Sequence, residues 1–251
     1  VVSRGKKKAT DRGHREDRTP LVESLPVREP IDPELFDLAL THRSYSYENG
    51  EVPHNERLEF LGDAVLGQAT AFYLYTTYPE APQGVLSRRR SAVVNMRALA
   101  WLARSHNLGA YIKLGKGEAQ SGGRDRSSIL ADTTEAIIGA VHLTSGSTVS
   151  HRFVLDLLAP IVDNDEFLRS EYDYKTRLQE IAVEYDTVPK YAITDLETVP
   201  PSYRATVTIG TVLSGTGEGT SKKDAEREAA RRAVDGYYAA KGETLDLFEE
   251  L

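Results

Sequence analysis

Apolar residues recur at helical spacing over most of the first 160 positions. The pattern predicts helices over 33–42, 55–75, 85–104 and 128–143, separated by breakers at Pro53, the stretch 79–84 and the glycine-punctuated loop 115–123. No strand pattern interrupts them. A further helix is predicted over 148–160, ending near Pro160, and the acidic stretch 163–173 reads as a linker. Beyond it the period changes. Residues 174–185 read as a helix, 190–195, 203–209 and 211–219 as strands rich in Thr, Val, Ile and Tyr, and 221–240 as an Ala-rich helix. The expected architecture is an all-α domain followed by a small α+β domain of order α-β-β-β-α, with a boundary between 160 and 172. Residues 1–20 are polar, charged and aperiodic, and read as a flexible arm.

Composition narrows the chemistry. The 251 residues are 40% hydrophobic and 27% charged, enough apolar surface for two soluble domains. Cysteine is absent, which excludes disulfides, thiolate zinc sites and thiol nucleophiles, so any metal must be held by oxygen or imidazole. No stretch approaches the roughly 18 uncharged apolar residues of a membrane span, and the basic N-terminal run has no apolar segment behind it to make a signal peptide. A cytoplasmic protein without a membrane partner is expected. The formal charge of −7 argues against nucleic acid until its distribution is considered. Arg4, Lys6, Lys7, Lys8, Arg12, Arg15 and Arg18 form one basic cluster, and Lys222, Lys223, Arg227, Arg231 and Arg232 form another.

The acidic excess is most informative in HNERLEFLGDAVLG, residues 54–67. At roughly 100° per residue, Glu56, Glu59 and Asp63 fall within roughly 60° of one another. Leu61, Val65 and Phe72 cluster on the opposite face, while Leu66 and Phe60 border the stripe. Like charges at this spacing repel, so a compensating cation is expected. A second pair, Asp132 and Glu135, shares a helix face with the small residues Ala136 and Gly139. That face could admit another helix closely and bring Glu59, Asp63, Asp132 and Glu135 to one point. Four carboxylates without cysteine suit a hard cation such as Mg²⁺ or Mn²⁺, of the kind that activates water against phosphate esters. The competing reading is a wet acidic face, with Glu56 and Glu59 opposing the helix dipole after an N-cap at His54 or Asn55. It accounts for Glu56 but not for Asp63, two turns into the helix.

HNERLEFLGDAVLG also resembles the signature of bacterial ribonuclease III. THRSY at 41–45, GKGEAQSGGRDRSSILADTTEA at 115–136 and a C-terminal segment similar to a double-stranded RNA-binding domain follow the family's order and approximate spacing. The resemblance implies a homodimeric, Mg²⁺-dependent endonuclease of double-stranded RNA, with Mn²⁺ able to substitute, involved in rRNA and mRNA processing. Its parts would be a basic arm (1–20), a ribonuclease III catalytic domain (21–149), a helix end and linker (150–171), an RNA-binding domain (172–240) and an acidic tail (241–251). It makes Glu59, Asp132 and Glu135 metal ligands, Asp63 and Glu135 catalytic carboxylates, Glu56 a supporting residue and Phe60 a dimer contact. It further implies in-line hydrolysis leaving 5′-phosphate and 3′-hydroxyl ends with two-nucleotide 3′ overhangs. One departure is PQGVLS at 82–87, where Gln83 stands for the family's usual Glu and Val85 for an Asp; Gln83 is expected to support the site with one charge fewer. His142 replaces a more common aromatic and reads as a packed or solvent-facing histidine.

In the second domain, Thr176, Gln179 and Glu180 share one helix face able to meet 2′-hydroxyls in a minor groove. Ser221 is expected to cap the last helix, and Lys222 and Lys223 to meet phosphates at its positive end, with Gly217 and Gly219 freeing the preceding turn. Ala229, Ala230 and Ala233 keep the helix thin against the sheet. The segment 196–204 is shorter than the family's loop and has no histidine, and Tyr203 takes the place of a core Phe. Two other readings stand beside the nuclease: a non-catalytic binding protein of the same fold, and a metal phosphohydrolase of small nucleotides, which would leave the C-terminal domain without a purpose.

Overall fold

A computed structural model of the chain describes residues 18–243; most of the basic arm and of the acidic tail lie outside these. The chain divides between Asn164 and Asp165 into two compact units. In the first, α1 (Thr19–Ser24), α2 (Pro33–Ala39) and α3 (Arg43–Glu48) precede the long helix α4 (Glu56–Thr77). Then come α5 (Gln83–Val94), α6 (Met96–Ser105), α7 (Lys116–Gln120) and α8 (Ser127–Val162). The second unit holds α9 (Asp165–Glu171), α10 (Tyr174–Val183), strands β1 (Lys190–Asp195), β2 (Tyr203–Ile209) and β3 (Leu213–Gly219), and α11 (Lys222–Ala240).

Several boundaries differ from the sequence expectation for identifiable reasons. The run 85–104 is two helices because Asn95 adopts an extended backbone and its side chain accepts from the amides of Arg97 and Ala98, capping α6. The runs 128–143 and 148–160 are two helices, as expected, joined within α8 at a kink where Gly146 takes a non-helical φ of 77° that only glycine adopts readily. The second ends at Val162, close to Pro160, but the stretch expected to be a linker contains α9. Within the glycine-rich loop, α7 forms a short helix. Helix α3 was not expected: His42 starts it by accepting from the amide of Ser44.

The face of α4 also differs. Leu58, Gly62, Val65, Leu66 and Ala69 are buried against the rest of the unit, but Phe72, expected with Val65, is 63% exposed. Phe60, Phe72 and Tyr75 all face solvent, so the acidic stripe runs between the core face and an exposed aromatic face rather than opposite an apolar one. The core is completed by Phe36 of α2, Leu99 and Leu102 of α6, and Ile137, Ile138 and Val141 of α8. Each such side chain contributes about 1.5–3 kcal/mol on burial.

In the second unit the sheet is antiparallel in the order β1-β2-β3, with Ala205 opposite Gly217 and Val207 opposite Gly215. Ala205, Val207 and Ile209 turn inward, as do Ala225, Ala229, Ala230 and Ala233 of α11. The glycines of β3 serve packing, not the turn expected of Gly217 and Gly219. A Cβ on Gly217 would lie 2.4 Å from the Ala229 amide nitrogen, and one on Gly219 2.6 Å from that of Ala225. The strand starts at Leu213 because the turn, with Gly210 at φ 52°, occupies the residues before it.

Candidate active site

The acidic residues meet because α4 and α8 cross at glycine. A Cβ on Gly62 would sit 1.8 Å from the carbonyl oxygen of Glu135, and one on Gly139 2.4 Å from that of Leu58. With both side chains absent the backbones nearly touch, and the acids one turn away on each helix converge. Carboxylate oxygens of Glu59, Asp132 and Glu135 lie within 4.8 Å of one another. All three residues are half-buried. Asp63 lies outside this triplet and is exposed, yet its charge is the leading neighbouring charge acting on Glu135.

The cluster is electrostatically uneasy without a cation. Burial, followed by the charges of Asp63, Asp132 and Glu59, pushes the Glu135 carboxyl from the ordinary 4.5 up to about 8. Burial and then Asp132 raise Glu59, and burial raises Asp132. Arg43 opposes the rise at both Glu59 and Asp132 without overcoming it. It is the compensating cation that like-charge repulsion demanded, although sequence spacing alone did not single it out. Its Nη1 donates to Glu56 at 3.2 Å, and Glu56 also lies 3.8 Å from His54.

Glu56, Glu59 and Asp132 line a groove of about 400 Å³ that also meets His42, Ser44, Tyr47, Glu118, Arg126 and Ser128. Its far wall is the glycine-rich loop, fixed by a network that composition does not reveal. Arg124 donates through Nη1 to the carbonyls of Gly109, Ala110 and Ile112 at 2.9–3.1 Å. Ser44 Oγ accepts from the Gly115 amide and Glu48 from the Lys116 amide. Arg126 is tied to Glu118 at 2.5 Å and to Ser121. Burial lowers the pKa of His42, favouring the neutral ring that caps α3. Gln83, by contrast, is exposed in the first turn of α5, donates to Ser87 at 2.9 Å and does not line the groove. His142 packs across the Gly146 bend, its Nδ1 sharing a hydrogen bond with buried Ser150 at 2.9 Å.

In the second unit, Ser221 accepts from the Asp224 amide at 3.1 Å and so caps α11. Lys222 and Lys223 beside it are exposed and have no carboxylate partner among the described residues; Lys222 Nζ lies 5.9 Å from the centre of the Tyr203 ring. Tyr203 is only half-buried. Thr176, Gln179 and Glu180 are exposed on α10, Thr176 bonded to Asp173 and Glu180 to Arg177. The β1–β2 connection carries Val199, which is 99% exposed.

Comparison with known proteins follows the same division. A Ribonuclease-III-like family model matches residues 32–161, and a double-stranded RNA binding motif matches residues 174–236. The chain is 48% identical over 225 residues to Ribonuclease 3 of Leifsonia xyli subsp. xyli, covering 88% of this chain and 93% of that one. It is 49% identical over 214 residues to Ribonuclease 3 of Thermobifida fusca, covering 84% and 88%. Among solved structures it resembles the nuclease domain of ribonuclease III from Campylobacter jejuni, with 40% identity, a TM-score of 0.54 and coverage of 57% of this chain and 97% of that domain. That domain shows structural flexibility in its region involved in dimer formation. An all-α unit whose two longest helices join their acids across paired glycines, followed by an α-β-β-β-α unit, is thus matched part by part, and the chain belongs to the ribonuclease III family.

Proposed function

We propose that this chain is an endoribonuclease that hydrolyses phosphodiester bonds of double-stranded RNA with a divalent cation, Mg²⁺ with Mn²⁺ as substitute, held by Glu59, Asp132 and Glu135. The observation that carries this reading is the convergence of three half-buried carboxylates within 4.8 Å, two of which, Glu59 and Asp132, line an open groove, in a chain with an RNA-binding motif attached. The donor set fits the ion. It is all oxygen, as hard cations require, and burial, joined at Glu59 and Glu135 by the neighbouring carboxylates, raises all three carboxyls, so a bound cation would favour their ionised forms.

When bound, the cation supplies Lewis-acid polarisation of the phosphate and a more acidic water. The chain's own residues do the rest. Glu59 on α4 and the Asp132–Glu135 pair on α8 approach from two helices, so the α4–α8 crossing sets their spacing. Asp63, solvent-facing beside Glu135, is placed to accept a proton from attacking water, and Glu56 restrains Arg43 at the rim. In the second unit Lys222 and Lys223 meet backbone phosphates at the capped end of α11, while Thr176, Gln179 and Glu180 face a minor groove. The exposed aromatics Phe60, Phe72 and Tyr75 on α4 suit a homodimer contact that would set two sites across one duplex. Products would carry 5′-phosphate and 3′-hydroxyl ends with two-nucleotide 3′ overhangs, consistent with rRNA and mRNA precursor processing in the cytoplasm.

A labelled duplex of about 30 base pairs, longer than the about 16 that one RNA-binding module spans, tests the reading. The expected result is cutting in Mg²⁺ and none in chelator, with Glu135→Ala and Asp63→Ala abolishing cleavage while duplex binding stays detectable. Binding without cutting in Mg²⁺ would instead favour a non-catalytic RNA-binding protein.

A further inference from the structure

Two arginines line the groove, and the structure treats them differently. Arg126 is held by Glu118 and by the carbonyl and hydroxyl of Ser121, which fixes it as part of the loop. Among the described residues Arg43 has one hydrogen-bond partner, an oxygen of Glu56 at 3.2 Å, longer than the about 2.7–2.9 Å of a strong charge-assisted bond. Both side chains of that pair are open to water, at 60% and 47% exposure, and such pairs hold weakly. A guanidinium carries five N–H donors in a planar fork, so four of Arg43's have no acceptor among the described residues. It stands in the same groove as Glu59 and Asp132 and its charge reaches both.

A duplex entering this groove presents an anionic oxygen pair of the shape the fork matches. Glu56 competes for the fork with one long contact, whereas a phosphate can take two. We propose that Arg43 is a phosphate-binding residue of the cleavage groove, resting on Glu56 in the free protein and passing to a non-bridging oxygen of the duplex backbone when RNA binds. Arg43 then has two roles in sequence: it lightens the repulsion among the carboxylates, and it anchors the strand beside them. The inference rests on the nuclease reading above, because it takes double-stranded RNA as the occupant of the groove.

The test uses the full chain with Glu135→Gln, so that duplex RNA is bound but not cut, and measures affinity against salt concentration in Mg²⁺ buffer with Arg43 intact, Arg43→Gln or Arg43→Lys. The expected result for Arg43→Gln is about tenfold weaker binding and a salt slope lower by about one. Arg43→Lys keeps the charge and loses the fork, so the slope returns while affinity recovers only in part; it also decides the matter should Arg43→Gln fail to fold. Unchanged affinity and slope in Arg43→Gln, or affinity in Arg43→Lys equal to the parent, would overturn the proposal. So would a change confined to Mn²⁺ binding, which is what a cation serving only to neutralise the carboxylates would give. If the protein with Arg43 intact does not bind duplex at all, the nuclease reading fails instead.

Discussion

Gly62→Ala would test the crossing on which the site depends. The added methyl carbon would lie 1.8 Å from the Glu135 carbonyl oxygen and 3.0 Å from the Gly139 amide nitrogen. Both are backbone atoms of α8, so no side-chain rotation relieves the clash. Ordinary van der Waals contact begins near 3.4 Å, and reaching it requires the helices to part by about 1.6 Å. Overpacking a well-packed core costs about 1–3 kcal/mol, and a displacement of this size between the two longest helices belongs at the upper end, about 3 kcal/mol. In a domain of this size each kcal/mol is worth about 2–4 °C of melting temperature, so the midpoint should fall by about 6–12 °C. The same parting moves Glu59 away from Asp132 and Glu135 by more than the about 0.5 Å that catalytic geometry tolerates. The cleavage rate of the folded variant should drop by about 10²-fold. Thermal melting by circular dichroism, and single-turnover cleavage well below the midpoint, read the two effects. A melting point within about 2 °C of the parent, with undiminished cutting, would refute the close crossing.

Three further outcomes follow from particular contacts. A carboxyl whose folded pKa is raised binds extra protons on folding, so the Glu135 penalty is absent below about 4.5, grows as pH rises and is complete above about 8. At about 1.4 kcal/mol per unit the shift corresponds to a few kcal/mol at most, less after solvent screening; metal-free protein should therefore lose stability between these limits, Glu135→Gln should flatten that fall, and equal slopes in the two proteins would contradict it. Lys222→Ala with Lys223→Ala should weaken binding to all duplex sequences and lower the salt slope by about two, and an untouched slope in filter-binding titrations would remove these lysines from the interface. Arg124→Ala leaves three loop carbonyls without their donor and should cost about 1.5–3 kcal/mol, measured by urea denaturation, with no change expected if water replaces the guanidinium.

Much of this was legible because chemistry and periodicity agreed. The stripe of Glu56, Glu59 and Asp63, the pair Asp132 and Glu135 and the small face at Gly139 all lie on strongly periodic helices, where spacing determines facing. Ser221 could be read as a cap because a hydroxyl before an Ala-rich run has few other uses. What escaped was set by contacts distant in sequence. Phe72 shares an angular sector with Val65 but faces solvent, although Leu74 two residues further along is buried. Asn95 broke a predicted helix because capping α6 outweighs continuing α5. The glycines of β3 look like turn residues until α11 is placed against them. Arg43 was within reach, since the acidic stripe called for a cation, but choosing it required knowing that the start of α3 comes within reach of Glu56 on α4.

The most direct test is Mn²⁺ binding to the full chain, followed by electron paramagnetic resonance, in the parent and in Glu59→Gln, Asp132→Asn and Glu135→Gln, each paired with single-turnover cleavage of duplex RNA. The account predicts saturable binding by the parent, and in each variant a loss of affinity that tracks its loss of cutting. Parent-like Mn²⁺ affinity in all three variants, or cutting that survives when binding is lost, would contradict a cation held by Glu59, Asp132 and Glu135.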